Sequence, residues 1–405
     1  MKDKFLPKTN RSTYTNQKNL MNKLIPNSIF ILAFIVSPLS GQVTTSELSG
    51  KINAVTTAVP FLTIPVGAFT NSGISTVPNG TLEPTIFGNI GLVGFEKKKF
   101  GISVSYTPWL RKLVPDINLF GLGFYYRINK RSTIGFGLRY FGLGNLTFTN
   151  IVGNSTHTFK PYEFSPSASY VINFDELTSL GIGCEFIYSN LTGGANVGGI
   201  KSHPGIALAG NLGFSKKFLG NDDRFSHMIG VSLNHIGSKI SYTKNSRKDF
   251  IPTTLAIGYQ FKTEFDDWSI ALSYEVSKLL VPSPPLYFAD SVGVNGDPVI
   301  KSGYDPNVSV PLGMIRSFYD APSGFSEEMK EIVHQIGFMA QFHEFTAGLG
   351  FFYEDGTKGN RKFFTLGVGV NLKDQVRINC SYLLPMNNQN SPLANTFGFG
   401  VNVLF

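Results

Sequence analysis

Residues able to carry hydrolytic or metal chemistry are scattered through this 405-residue sequence. A nucleophilic mechanism needs a base and an orienting carboxylate beside the nucleophile. Four of the six histidines, His157, His203, His227 and His343, fall in predicted loops or turns. The sequence has no G-x-S-x-G elbow, and no H-x-x-x-H or C-x-x-C spacing indicates a metal site. It therefore predicts neither an enzyme nor a metal or other cofactor.

Four charged residues, Arg139, Glu185, Glu275 and Arg377, stand among small and polar neighbours in otherwise apolar segments. What they do depends on the elements that hold them. If the segments are strands of a barrel, these side chains point into its lumen. We expect them to pair with one another across strands and brace the wall. A polar path for a solute is the alternative.

A period of two in the apolar residues recurs from Phe100 onward. Between Phe397 and Val403, for example, phenylalanines and valines alternate with glycine and asparagine. This alternation is typical of strands with one apolar face, and the segments are long enough to cross a bilayer. The pattern predicts about fourteen strands: 100–106, 117–128, 132–143, 163–174, 179–191, 206–218, 227–238, 253–264, 267–280, 332–343, 345–355, 362–373, 375–385 and 394–405.

The connections between these strands alternate in length. Short ones such as 129–131 and 265–266 are interleaved with long ones such as 144–162 and 281–331. Outer-membrane barrels combine short periplasmic turns with long outer loops. The predicted fold class is therefore all-β, a transmembrane antiparallel β-barrel of the cell outer membrane. A soluble β-sandwich or propeller is the alternative. Phe405 is predicted to be part of the signal for membrane insertion.

Composition agrees with a barrel. Charged residues make up 15% of the chain, against about 25% in soluble domains. Beyond residue 41, no apolar run approaches the roughly 20 residues of a membrane helix. Cys184 and Cys380 fall on lipid-facing positions of distant predicted strands, so we expect no disulfide between them. They behave there as small apolar residues.

The first 41 residues are predicted to be an export signal, with Met21 as an alternative true start. They contain six Lys/Arg and one Asp, which accounts for most of the net charge of +8. No nucleic-acid partner is therefore predicted. Residues 42–99 are predicted to be a periplasmic N-terminal segment that could act as a plug, and residues 100–405 are predicted to form the barrel.

The connection 281–331 is the most informative segment for function. Loops beyond about 15 residues are usually functional or disordered, and this one is too apolar for disorder. We expect a cap over the outer mouth, with or without a docking surface to which loop 107–116 contributes. The basic cluster 358–362 is predicted to face lipopolysaccharide, an acidic partner or solvent. The predicted partner-binding residues are Trp109, Leu110, Arg316, Phe318, Tyr319, Pro322 and Phe325.

Six motifs carry a family resemblance: Asn53–Leu62, Tyr106–Arg111, Leu113–Asn118, Asp320–Glu328, Phe351–Glu354 and Lys358–Gly367. They resemble the PorV family of the type IX secretion system of Bacteroidota. The resemblance implies a FadL-like fourteen-stranded barrel that works as a secretion component rather than as an enzyme. It also implies three partners: a giant outer-membrane translocon barrel, secreted cargo with a C-terminal signal, and a surface attachment complex.

One region departs from the family pattern. The family has a charged, glycine-rich plug segment, whereas residues 63–95 here carry a single charge, Glu83. This departure argues against a plug of the family type. Three functions are then open: the secretion component, which we favour, a FadL-like channel for hydrophobic solutes, and an outer-membrane lipopolysaccharide deacylase.

Overall fold

The computed structural model describes residues 52–67, 73–111, 114, 116–149, 152–197, 200–220, 222, 224–244, 247–293, 298–386 and 396–405. The predicted export signal lies outside these residues.

Fourteen strands form a closed antiparallel barrel in which consecutive wall strands are neighbours. The predicted fold class is confirmed, and the strand boundaries agree with the prediction to within two residues. Closure comes from pairing of the first wall strand with the last. The wall strands are β1 (Phe100–Pro108), β2 (Ile117–Arg127), β3 (Ser132–Leu143), β6 (Tyr162–Asn173), β7 (Thr178–Asn190), β10 (Gly205–Leu219), β11 (Phe225–Gly237), β12 (Thr254–Phe265), β13 (Trp268–Leu279), β16 (Val333–Phe342), β17 (Phe345–Tyr353), β18 (Lys362–Leu372), β19 (Val376–Pro385) and β20 (Thr396–Leu404).

The two faces of the wall follow the period of two. Along β1, Ser103 and Ser105 are buried toward the lumen, whereas Val104 between them is exposed. The outward face of the barrel therefore carries the large apolar side chains that lipid covers. Cys184 is exposed, Cys380 is half-buried, and both are free thiols.

The connections sort by length to the two ends of the barrel. Turns such as 128–131 and 266–267 join strands at one end, which we call the inner end. Longer connections lie at the outer end and carry three small sheets. Their strands are β4 (Leu146–Thr149) with β5 (Ser155–Phe159), β8 (Asn196–Val197) with β9 (Ile200–Lys201), and β14 (Leu286–Val292) with β15 (Pro298–Ser302).

Short helices belong to two non-wall regions. The first region, residues 52–99, contains the 3-10 helices Pro60–Thr63 and Ile90–Phe95 and helix α1 (Glu83–Phe87). The second, the connection 280–332, contains helices α2 (Val310–Arg316) and α3 (Phe325–Lys330), and we call it the outer cap. Within the described part of the chain, no helix is long and apolar enough to cross a membrane.

Candidate functional site

Residues 62–67 and 73–96 lie in the lumen, and we call them the lumen segment. Glu275, buried on β13, accepts hydrogen bonds from the main-chain N–H groups of Ser75 at 2.9 Å and Thr76 at 2.7 Å. A buried carboxylate needs such donors to offset the loss of hydration. Glu275 therefore holds the lumen segment by its backbone.

Two of the other predicted lumen charges also bind this backbone. Arg377 on β19 donates to the carbonyl of Gly80 at 3.1 Å, and Arg139 on β3 donates to the carbonyl of Leu62. The expectation that these residues pair with one another across strands is therefore wrong for Arg139, Glu275 and Arg377. The charges bind main-chain groups because the lumen is filled by chain that has its own unpaired N–H and C=O groups.

Uncharged wall side chains complete the anchoring of the lumen segment. Each of them bonds to a main-chain atom of the segment, so no charge is needed on the segment itself. Asn402 Oδ1 accepts a hydrogen bond from the N–H of Leu82 at 2.7 Å. The other four side chains donate to carbonyl oxygens of the segment: Gln260 to Pro78 (2.6 Å), Asn234 to Gly88 (3.1 Å), Ser179 to Gly91 (2.6 Å) and Asn173 to Gly94 (2.8 Å).

Two wall glycines let the lumen segment approach closely. A Cβ placed on Gly230 would lie 1.8 Å from the carbonyl oxygen of Thr76, and one on Gly258 would lie 2.0 Å from its hydroxyl oxygen. Any side chain at either position would collide with the segment. The wall and the segment are therefore fitted to each other at Thr76.

The fourth lumen charge, Glu185, bonds to wall residues other than the predicted partners. It accepts bonds from the hydroxyl of Ser165, from Asn211 at 3.3 Å and from His235 Nδ1 at 2.7 Å. These residues lie on β6, β10 and β11, so the network ties four strands together. The serine bonds the carboxylate rather than the imidazole, which differs from the nucleophile–base contact of a hydrolase triad.

A buried ionic cluster fixes the outer cap to the wall. Lys278 at the outer end of β13 binds Glu328 at 3.0 Å and Glu331 at 2.5 Å. Lys358, in the connection 354–361, binds Glu327 at 2.6 Å and Glu331 at 2.9 Å. All five side chains are nearly inaccessible to solvent. Breaking a buried pair leaves an unpaired charge, so such a cluster fixes geometry strongly.

The N-terminal region reaches this cluster from the lumen. Asn53 Nδ2 donates to Glu327 at 2.9 Å and to the carbonyl of Pro284 at 3.0 Å, and Asn53 N donates to Thr357 O at 2.9 Å. The predicted periplasmic location of segment 42–99 is therefore wrong for Asn53, which lies at the outer mouth. From there the chain crosses the lumen before it enters β1 at the inner end.

Two acidic groups of the outer cap have opposite pKa shifts. Burial raises the pKa of Asp320 to about 6. Hydrogen bonds from Ser283 offset this only in part, and the negative charges of Glu328 and Glu331 raise the pKa further. Burial also acts on Glu327, but hydrogen bonds from Lys358, Asn53 and the main chain at Ser323 hold its pKa at about 2. Glu327 therefore fastens the cap, whereas ionised Asp320 strains it.

Most of the predicted partner-binding residues lie on the outer cap. Phe318, Tyr319 and Phe325 are exposed, with 75% of Phe325 accessible. Tyr319 packs edge-on against Tyr304 at 6.0 Å between ring centroids, and the Arg316 guanidinium lies over the Tyr304 ring. Pro322 is half-buried and accepts a hydrogen bond from Ser302 through its carbonyl at 2.7 Å.

Two predictions about the outer mouth need correction. Trp109 and Leu110 pack on a buried lumen cluster around Phe61 and Leu62 rather than on the cap surface. Lys358 does not face lipopolysaccharide or solvent, because its ammonium is buried between two carboxylates. The predictions for Trp109, Leu110 and the basic cluster rested on their position in loops. Loop position does not show which way a side chain points.

Sequence reasoning missed the neutral anchors of the lumen segment and the acidic partners of Lys278 and Lys358. Inward-facing Asn, Ser and Gln are common in barrels, so those on the wall give no distinguishing signal. The cluster Glu327-Glu328 and Glu331, at helical spacing, is a signal that a partner search could have used.

The fold and its filled lumen define an outer-membrane β-barrel. The chain matches the family model described as type IX secretion system protein PorV over residues 47–286, and it belongs to that family. The resemblances noted above at 320–328 and 351–367 lie outside the matched range. No match was found among curated proteins.

The chain is also similar to several solved structures. The P. putida toluene transporter TodX is 9% identical, with 84% of this chain and 98% of that chain covered and a TM-score of 0.46. The Ralstonia pickettii toluene transporter TbuX is 12% identical, with 84% and 97% covered and a TM-score of 0.46. A Pseudomonas aeruginosa FadL homologue is 13% identical, with 87% and 100% covered and a TM-score of 0.41.

Proposed function

We propose that this protein is a non-enzymatic component of the type IX secretion system that binds the translocon barrel and secreted cargo with C-terminal signals. It then passes the cargo to the attachment machinery at the cell surface. The observation that carries the proposal is the outer cap, where exposed aromatic side chains stand on a scaffold fixed by buried ion pairs. The lumen, by contrast, is occupied by the protein's own chain.

The outer cap has the physical character of a docking surface. Large exposed rings such as Phe318 and Phe325 are the residue type that most often anchors protein interfaces. Glu327, Glu328 and Glu331 hold the helix beneath them, so little conformational freedom is left to lose on binding. A preorganised surface of this kind suits repeated, reversible contact with a translocon and with cargo.

The first test replaces Phe318 and Tyr319 together with alanine. Loss of two anchoring rings, each worth about 2 kcal/mol or more in a hot spot, should lower co-purification with translocon and cargo by about tenfold or more. The wall should stay folded, as judged by heat-modifiable migration, because neither ring contributes to strand pairing.

The matched control is the double replacement of Tyr287 and Phe288 with alanine. These two rings are exposed to a similar extent on the hairpin of the same cap. Equal loss of partners in both double variants would mean that the Phe318 surface has no specific role. Unchanged co-purification in the first variant would overturn the proposal.

A further inference from the structure

Cationic side chains crowd one part of the inner end, where the chain enters β1 and where β2 turns into β3. Residues 96–99 and the turn 128–131 lie side by side there, because Arg127 donates to the carbonyl of Glu96 at 2.9 Å and to that of Lys130 at 3.4 Å. We call this region the cationic sector. Its cationic side chains are Lys97, Lys98, Lys99, Arg127, Lys130 and Arg131.

The acidic side chain of the cationic sector, Glu96, points toward the lumen. Its charge acts on Tyr125, and the charge of Arg377 acts on it in turn. Both of these neighbours lie on the lumen side of the wall, where Tyr125 packs on Leu82 and Arg377 bonds the carbonyl of Gly80. The ion pairs among the described residues include none of the six cations. The sector therefore keeps a positive charge at its surface.

Cations elsewhere at the inner end stand beside carboxylates. Lys262 binds Glu264 at 2.5 Å, Arg224 binds Asp222, and Lys373 is followed by Asp374. Even in the turn that adjoins the cationic sector, Asp175 interacts with Lys216 of β10. The excess of positive charge is therefore local to the cationic sector and is not shared by the whole inner end.

Apolar side chains around the cationic sector place it at the edge of the lipid. The ammonium of Lys99 lies over the ring of Tyr126, 5.8 Å from its centroid, and Tyr126 is on the outward face of β2. Ile128 and Phe174 are exposed in the two turns that meet at Arg131. Apolar side chains at this level are covered by lipid, and cations beside them reach the headgroups. The sector therefore lies at the level of lipid phosphates.

We propose that the cationic sector binds phospholipids of net negative charge in the periplasmic leaflet of the outer membrane. The short turns of a barrel face the periplasm, and clustered Lys and Arg next to a membrane attract anionic lipids. Lys99, Lys130 and Arg131 contact the phosphates. An acidic protein segment would match the charge but would leave Ile128 and Phe174 uncovered. This site is separate from the docking surface on the outer cap.

The test measures lipid binding by the purified protein in micelles of a neutral detergent. Native mass spectrometry reports the binding of phosphatidylglycerol and of phosphatidylcholine with the same acyl chains. We expect phosphatidylglycerol to bind at least tenfold more tightly, because the zwitterionic headgroup carries no net charge. Replacing Lys99, Lys130 and Arg131 with glutamine should weaken phosphatidylglycerol binding by about tenfold and leave phosphatidylcholine binding unchanged. Heat-modifiable migration checks that the barrel is folded.

The matched control replaces Lys262, Lys373 and Arg224 with glutamine. It removes two lysines and one arginine from the inner end, as the first variant does, but outside the cationic sector, so phosphatidylglycerol binding should persist. Equal loss in the two triple variants would reduce the effect to net charge and overturn the proposal. So would equal affinity for the two lipids, or binding of a polyglutamate peptide or inorganic phosphate as tight as that of phosphatidylglycerol.

Discussion

The lumen segment and the outer cap are both non-strand chain attached to the same barrel, but they are attached by different means. Wall side chains hold the lumen segment by its main-chain N–H and C=O groups, as Glu275 does at Ser75 and Thr76. The cap is held by its own carboxylates, which bind Lys278 and Lys358. The first attachment uses mainly the backbone of the captured chain, to which side chains such as Thr76 and Asn89 add bonds to the wall. The second uses the side chains of the captured chain.

This difference explains how the lumen segment departs from the family pattern and still fills the barrel. Backbone groups are present whatever the sequence is, so a segment held mainly by them can have few charged residues. Attachment by side chains has no such freedom, because each carboxylate of the cap has a specific ammonium partner. We therefore expect substitutions on the wall to displace the lumen segment, and substitutions in the ionic cluster to loosen the outer cap.

The largest expected effect comes from filling the space that the lumen segment uses. In Gly230→Val, the new Cβ would meet the Thr76 carbonyl oxygen, 1.8 Å away, so the segment must leave its place. We expect a several-fold increase in single-channel conductance in planar bilayers. Gly210→Val is the control, since its Cβ would have its nearest neighbour at 3.8 Å. Equal conductance of the two variants would break the comparison.

A smaller and more local effect should follow from Lys358→Met. It leaves Glu327 and Glu331 buried without this cation, which costs about 3–5 kcal/mol in comparable cases. We expect hydrogen exchange to accelerate in residues 310–331 and to stay unchanged in the lumen segment. Lys330→Met, on the exposed side of α3, should have no such effect. Faster exchange in the lumen segment as well would show that the two attachments act as one.

The smallest effect concerns pH. The pKa of Asp320 is raised by burial to about 6 in the folded cap, so folding favours its protonated form. That contribution is fully present below the ordinary pKa of about 3.9 and is lost as the pH rises through about 6. Between pH 7.5 and pH 5 the cap should gain on the order of 1–3 kcal/mol.

Hydrogen exchange, corrected for its intrinsic pH dependence, should therefore slow in residues 310–331 at pH 5. Asp320→Asn should remove this change. Glu327 contributes in the opposite sense but at lower pH, because its depressed pKa of about 2 keeps it ionised throughout this range. A pH response that survives in the Asp320 variant would assign it to another group.

The local sequence pattern was sufficient to predict the strands of the wall. It was insufficient to predict the chain that the wall encloses. The alternation along β13 or β20 is imposed by lipid on one face and lumen on the other, so it can be read from the sequence and predicts the strands. The hairpin of the cap and helix α2 were not predicted.

The lumen segment could not be predicted because its contacts join residues far apart in sequence through main-chain atoms. Glu275 is about 200 positions from Ser75, and nothing in the type of Ser75 indicates the contact. The scarcity of charge in residues 63–95 was taken as an argument against a plug. The charges that hold the segment are instead on the wall strands. The inward turn of Trp109 and the burial of Lys358 were missed for the same reason: neighbours, not residue type, decide them.

The path of the lumen segment also constrains how the molecule assembles. The segment precedes β1, yet it lies inside the ring that forms when β1 pairs with β20 and Phe100 exchanges main-chain hydrogen bonds with Phe405. Once β1 and β20 are paired, the backbone hydrogen bonds between the wall strands form a closed ring, and a folded segment cannot enter between two strands. We therefore expect the barrel to close around its own upstream chain. The order of assembly would then be set by topology: the lumen segment is in place first, and the seam between β1 and β20 closes around it.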